Sequence, residues 1–140
     1  MTLIDVIGDT LARHKIKVWY EAEPVAPAGH VTAYADLRHR SITMRPVETP
    51  QDAATALHEI GHLLDPLPEP RPADWPVPVA AIRTLRAEYR AWHIARLLAG
   101  SLWTQAHTDR QWAALHTYAP AHVWESMTDT FSKDCQGIDV

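Results

Sequence analysis

Residues 49–66, TPQDAATALHEIGHLLDP, constrain the fold more than any other stretch of the chain. Thr49 suits a helix N-cap, Pro50 the first helical position, and Asp52 the third, where a carboxylate meets the positive helix end. Ala53, Leu57, Ile60 and Leu64 recur at helical spacing as one apolar stripe, and Pro66 ends the run. A helix of about four turns is expected here. The rest of the chain must supply whatever covers its stripe.

Inside that helix lies HEIGH, residues 58–62. Positions i and i+4 are neighbours on one helix face. His58 and His62 can therefore aim one imidazole nitrogen each at a single metal ion, at about 2.0–2.1 Å. Glu59 is turned about 100° away. It makes a poor third ligand and a good general base for a metal-activated water. The chain holds nine histidines, and an H-E-x-x-H turns up in roughly 3% of shuffled versions of such a sequence. The motif alone is therefore not a site; the cap, the central position and the adjoining stripe are independent support. Gly61 adds to them, because a mid-helix glycine costs about 1 kcal/mol relative to alanine. It is expected to let a strand or a substrate backbone approach the metal face.

A catalytic zinc takes three protein ligands and keeps a fourth position for water. Asp65 and Pro68 stand three and six residues beyond His62, where a metzincin has glycine and histidine. That class is excluded. The helical run VPVAAIRTLRAEYRAWHIARLLAG, closed by Gly100, offers Glu88 on one face with Ala81, Leu85, Trp92 and Ala95. A bare charge amid apolar neighbours needs compensation, and a divalent ion would provide it. The plainer alternative is a boundary glutamate paired with Arg83, Arg86 or Arg90. Asp65 is the rival third ligand; its other readings are orientation of His62 and a turn before Pro66. His93 and the strand residue Tyr34 are candidate donors to a developing oxyanion, though a surface histidine is the commoner outcome. His107, His116 and His122 show no ligand spacing.

The N-terminal third reads as one helix and about three strands. Leu3, Val6, Ile7, Thr10 and Leu11 share a helical face, with Thr2 and Asp5 as cap and third residue. IKVWYEAE is β-rich and stops before PVAPAG. Val31, Ala33, Ala35 and Leu37 alternate in a second strand, Ile42 and Met44 in a third, around a turn near Arg38–Ser41. Six prolines between residues 66 and 78 make residues 65–78 a stiff surface loop that Trp75 pins to the core or opens onto a cleft. Residues 101–140 read as a helical C-terminal extension, with helices from Thr108 and from Pro120. The tryptophans are packing residues.

Size and composition suit one domain over residues 1–140. A net charge of −4 argues against nucleic-acid binding by phosphate neutralisation. The one cysteine, Cys135, rules out an intrachain disulfide and a Cys-based zinc finger. No apolar run approaches 18 residues, so no membrane span is expected. The start lacks the marks of a signal peptide, and a cytoplasmic protein is expected. Arginine outnumbers lysine by 10 to 3, in keeping with a bacterial or phage gene.

HEIGHLL, followed by EYRAWHIARLL with Glu88 26 residues after His62, resembles the ImmA/IrrE-type metallopeptidases. Glu88, Ala91, Ile94, Ala95, Leu97 and Leu98 fit the second helix of that family, and Trp92 departs from it where asparagine is frequent. The resemblance covers residues 1–100. It implies an α+β zincin-like fold, one zinc held by His58, His62 and Glu88, and Glu59 as catalytic base. It also implies a protein or peptide substrate, and a helix-turn-helix regulator as partner or target. The alternatives are a zinc-holding protein without hydrolytic activity and a metal-free interaction module.

Overall fold

The computed structural model describes residues 1–26, 29–30, 32–67 and 77–140. Helix α1 (Leu3–Arg13) leads into strands β1 (Lys17–Tyr20), β2 (Val25–Ala26), β3 (Gly29–His30), β4 (Ala33–Asp36) and β5 (Ser41–Met44). Helices α2 (Pro50–Leu64), α3 (Val77–Ala99), α4 (Gln105–Leu115) and α5 (Ala121–Asp134) follow, with a 3₁₀ turn at Gly100–Leu102. The fold is α+β, with five helices among the described residues and a small mixed sheet.

Both N-terminal helix starts follow from local chemistry. The Thr2 hydroxyl accepts the Asp5 N–H and the Asp5 carboxylate accepts the Thr2 N–H, which closes a capping box. Thr49 and Asp52 do the same at the head of α2. The sheet has the order β1-β5-β4: β1 runs parallel to β5, and β4 pairs antiparallel with it. All four residues of β5 are buried, as the middle strand requires. β4 spans less than the alternation suggested. Leu37 falls in the turn and is exposed, and Val31 lies outside the described residues. The PVAPAG segment, expected only to break the chain, contributes the two-residue strand β2, which pairs with β3.

α2 is the centre of the molecule. Ala53, Ala54, Ala56, Leu57, Ile60 and Leu63 are all buried in one apolar cluster that also takes in Ile7 and Leu11 of α1, Ile42 and Met44 of β5, and Trp92 and Ala95 of α3. Burial thus surrounds α2 well beyond a single stripe. Along α3, Leu85, Trp92 and Ala95 are buried as expected, but Ala81 is exposed. Gly100 ends the helix in the left-handed region at φ 55°.

The C-terminal segment belongs to the same core. Leu115, Trp124 and Phe131 are buried in the cluster, so α4 and α5 cover α2 and α3. α4 starts at Gln105, earlier than the expected Thr108. Thr104 is the cap, and His107 accepts the Thr104 N–H through Nδ1 at 2.8 Å, a histidine acting where glutamate usually does. Most of the proline-rich loop, Trp75 included, lies outside the described residues.

Candidate metal centre

α2 and α3 pack closely, and Gly61 is the reason they can. A Cβ built at Gly61 would meet the Ala91 carbonyl carbon at 3.0 Å and its Cα at 3.1 Å. The backbone that Gly61 admits is therefore that of α3, rather than a strand or a substrate. Ala91 lies one turn after Glu88, so the same contact carries Glu88 to the histidines.

Glu88 meets them with one oxygen each: Oε2 is 2.8 Å from His58 Nε2, and Oε1 is 3.1 Å from His62 Nε2. All three side chains offer a ligand atom within 4.8 Å of the others, a grouping that Asp65 does not join. His58 and Glu88 are buried, and His62 is half-buried. The His58 ring stacks on the Trp92 indole, with centroids 4.3 Å apart and planes at 14°, and meets the His62 ring edge-on at 4.6 Å. Two imidazole nitrogens and one carboxylate, converging and sterically held, are the donor types that a divalent ion of zinc type takes. The residues fit the ion.

The charges agree with that fit. Burial pulls the His58 pKa down, but hydrogen bonds and charges from Glu59 and Glu88 outweigh it and hold it up at about 9. Burial pushes Glu88 up, and the two histidines more than reverse this, leaving it well below the usual carboxylate range. The carboxylates that favour a charged His58 would favour a cation among the three side chains as well.

Glu59 points elsewhere. Its Oε2 accepts the Ala35 N–H at 3.0 Å, and its Oε1 lies 3.3 Å from His58 Nδ1. The Ala35 N–H faces away from β5, on the unpaired side of β4, so Glu59 sits between the histidines and a strand edge. A cleft of about 700 Å³ opens above it, lined by Thr55, His58, Glu59, Trp92, Arg110 and Tyr118 among others.

The remaining candidates lie outside the lining of this cleft. Glu88 does not rest on Arg86 or Arg90 in the way a boundary glutamate would. Arg86 grips Asp134 at 2.8 and 2.9 Å, and Arg90 Nε donates to Asp65 at 2.9 Å. Asp65, the rival ligand, caps the end of α2, holds Arg90 and accepts the Leu67 N–H at 2.9 Å. His93 lines a separate cavity with Tyr89, Arg96, Leu97 and Gln111. Tyr34 is not among the residues lining the cleft; Tyr118 is. Burial and then the charges of Glu88 and Glu59 raise the Tyr118 pKa, so its hydroxyl stays a donor. Tyr118 and Arg110 carry no motif, and only the packing of α4 across α2 brings them here. In comparisons with known proteins, no family model, no curated protein and no solved structure matches the chain.

Proposed function

We propose that this chain is a zinc-dependent metallopeptidase with a zincin-like fold, cleaving peptide bonds of a protein substrate. The observation that carries the reading is the convergence of His58, His62 and Glu88 within 4.8 Å, with His58 lining a cleft that also holds Glu59. Zinc held by His58, His62 and Glu88 would supply Lewis acidity toward a carbonyl and a water at neutral pH. Glu59 takes the proton of the attacking water and delivers it to the leaving amine. Tyr118 donates to the oxygen on which charge develops, the role considered above for Tyr34 and His93. The free side of β4 next to Glu59 aligns the substrate main chain, and Trp92 fixes the His58 ring.

Bound zinc per chain, by elemental analysis of the wild type and Glu88→Ala, tests the ligand set. One zinc in the wild type and a large loss in the variant is the expected result; equal zinc in both removes Glu88 from the site. Glu59→Gln should keep its zinc and lose cleavage of a denatured protein substrate.

A second reading has one observation in its favour: Glu59 already holds the Ala35 N–H that an incoming main chain would use. On that reading the chain binds zinc as a regulatory or interaction protein and hydrolyses nothing. Glu59→Gln would then leave every measurable property of the zinc-loaded protein unchanged. The ImmA/IrrE resemblance supports the enzyme, and with it a cytoplasmic setting and a phage or mobile-element regulator as substrate or helix-turn-helix partner. Among the described residues no helix is long and apolar enough to cross a membrane. Capture of a transcription factor by zinc-loaded Glu59→Gln protein from a host lysate is the expected outcome for such a partner.

A further inference from the structure

Arg110 is the cation of the cleft that its surroundings leave unspent. Its Nε donates to Thr55 Oγ1 at 3.1 Å, and that hydroxyl donates in turn to the Gln51 carbonyl at 2.9 Å. The guanidinium is thus held from one side by an oriented acceptor. No carboxylate of the described residues forms an ion pair with it, although Glu23 and Glu59 line the same cleft. Arg45, which also lines the cleft, differs: its Nε lies 3.4 Å from Asp52. Arg110 is half-buried, where charge-assisted hydrogen bonds gain strength over those in open water.

Position then gives the guanidinium a use. Thr55 and Glu59 lie four residues apart on α2, neighbours on one face about 6 Å from each other. An extended peptide advances about 3.3 Å per residue. A group seated on Arg110 therefore belongs to a residue one or two positions from the bond beside Glu59.

We propose that Arg110, anchored on Thr55, is a carboxylate-binding subsite, and that the substrate presents a carboxylate one or two residues from the scissile bond. The proposal rests on the reading of the cleft as a metal-dependent peptidase site. A planar guanidinium lining the cleft takes a carboxylate in a two-pronged fashion that lysine cannot match. The carboxylate comes from an aspartate or glutamate side chain or from a free C-terminus.

Three hydroxamate probes separate the possibilities. Each carries the same metal-seeking hydroxamate and leucine-like side chain, and each ends differently: in alanine amide, in alanine with a free carboxylate, or in aspartate amide. Their affinities for the zinc-loaded full chain are read by calorimetry, for wild type, Arg110→Gln, Arg110→Lys and Thr55→Val. Zinc content and melting temperature show that each variant is folded. The wild type is expected to prefer one carboxylate probe over the neutral one by about tenfold or more. Arg110→Gln should bring that ratio to about one, with Arg110→Lys and Thr55→Val in between. A preference for the aspartate probe assigns a side chain, and one for the free carboxylate assigns a C-terminal residue. Equal wild-type affinity for all three, or a preference that survives Arg110→Gln, overturns the subsite and leaves the metal centre standing. Binding of none of them by zinc-loaded protein overturns the reading of the cleft as a peptidase site and the subsite with it.

Discussion

Replacing Gly61 with alanine sets two physical effects against each other, and the structure says which prevails. Helix propensity favours the change by about 1 kcal/mol, since alanine loses less backbone entropy in mid-helix. Gly61 is buried, however, and the new methyl would meet the Ala91 carbonyl carbon at 3.0 Å and Cα at 3.1 Å, with the carbonyl oxygen closer still. Those atoms are backbone, so no rotamer change relieves the overlap. α2 and α3 must part by roughly 1 Å, and overpacking of a tight core costs about 1–3 kcal/mol, occasionally more. A contact this severe lies at or beyond the top of that range, so the net loss is about 2 kcal/mol.

The same parting moves Glu88 off His58 and His62, because Ala91 is one helical turn from it. Gly61→Ala should therefore lower the melting temperature of the metal-free protein by roughly 8 °C and weaken zinc binding by at least about tenfold. Thermal melts in EDTA and zinc titration with a competing chelator measure the two effects. A Gly61→Ala protein as stable as wild type, with unchanged zinc affinity, would refute the close helix contact and the account of how Glu88 is positioned.

Two further outcomes follow from buried charge. Arg90 is fully buried and its Nε lies 2.9 Å from Asp65; Arg90→Met should cost about 3–5 kcal/mol in urea denaturation by stranding Asp65. Adding Asp65→Leu should recover much of that loss, and no recovery would count against the pair. In EDTA-treated protein, His58 is held at about 9 against an ordinary 6.5. Its stabilisation is full below about 6.5 and disappears as pH rises through about 9. Glu88, held below its ordinary 4.5, stabilises above that value and loses the effect in acid. The melting temperature of the metal-free protein should thus peak between about pH 5 and 6.5 and fall toward pH 9. His58→Ala should flatten the alkaline fall, whereas a melting temperature level from pH 6.5 to 9 would contradict the His58–Glu88 coupling.

What could be read from the sequence was what neighbouring residues decide. Thr49, Pro50 and Asp52 define the start of α2 because a cap acts over three residues, and Pro66 closes it the same way. The two-residue pairing of β2 with β3 and the parallel docking of β1 on β5 leave no such trace. Each joins segments that their own periodicity does not specify. The early start of α4 was hidden for a chemical reason: His107 does the capping that glutamate or glutamine usually signals. Arg110 and Tyr118 were illegible on the same principle, since a side chain that lines a cleft by virtue of helix packing carries no spacing to its partners.

The candidate site was more legible than the fold because two of its three donors share one helix turn, and the third is an acid amid apolar neighbours. Donor identity is not donor distance, however. What sets the distance is the pair Gly61–Ala91, one residue before His62 and three after Glu88, where the two backbones meet without side chains between them. The Asp65–Arg90 pair repeats the bond at the next level of α2, tying its C-terminal end to the residue two beyond Glu88. Trp92, four beyond Glu88, then stacks on His58 from the same side. Read physically, the small and apolar residues after Glu88 encode the approach of one helix to another rather than any chemistry. The glutamate becomes a candidate ligand only because Ala91 and Gly61 let it arrive.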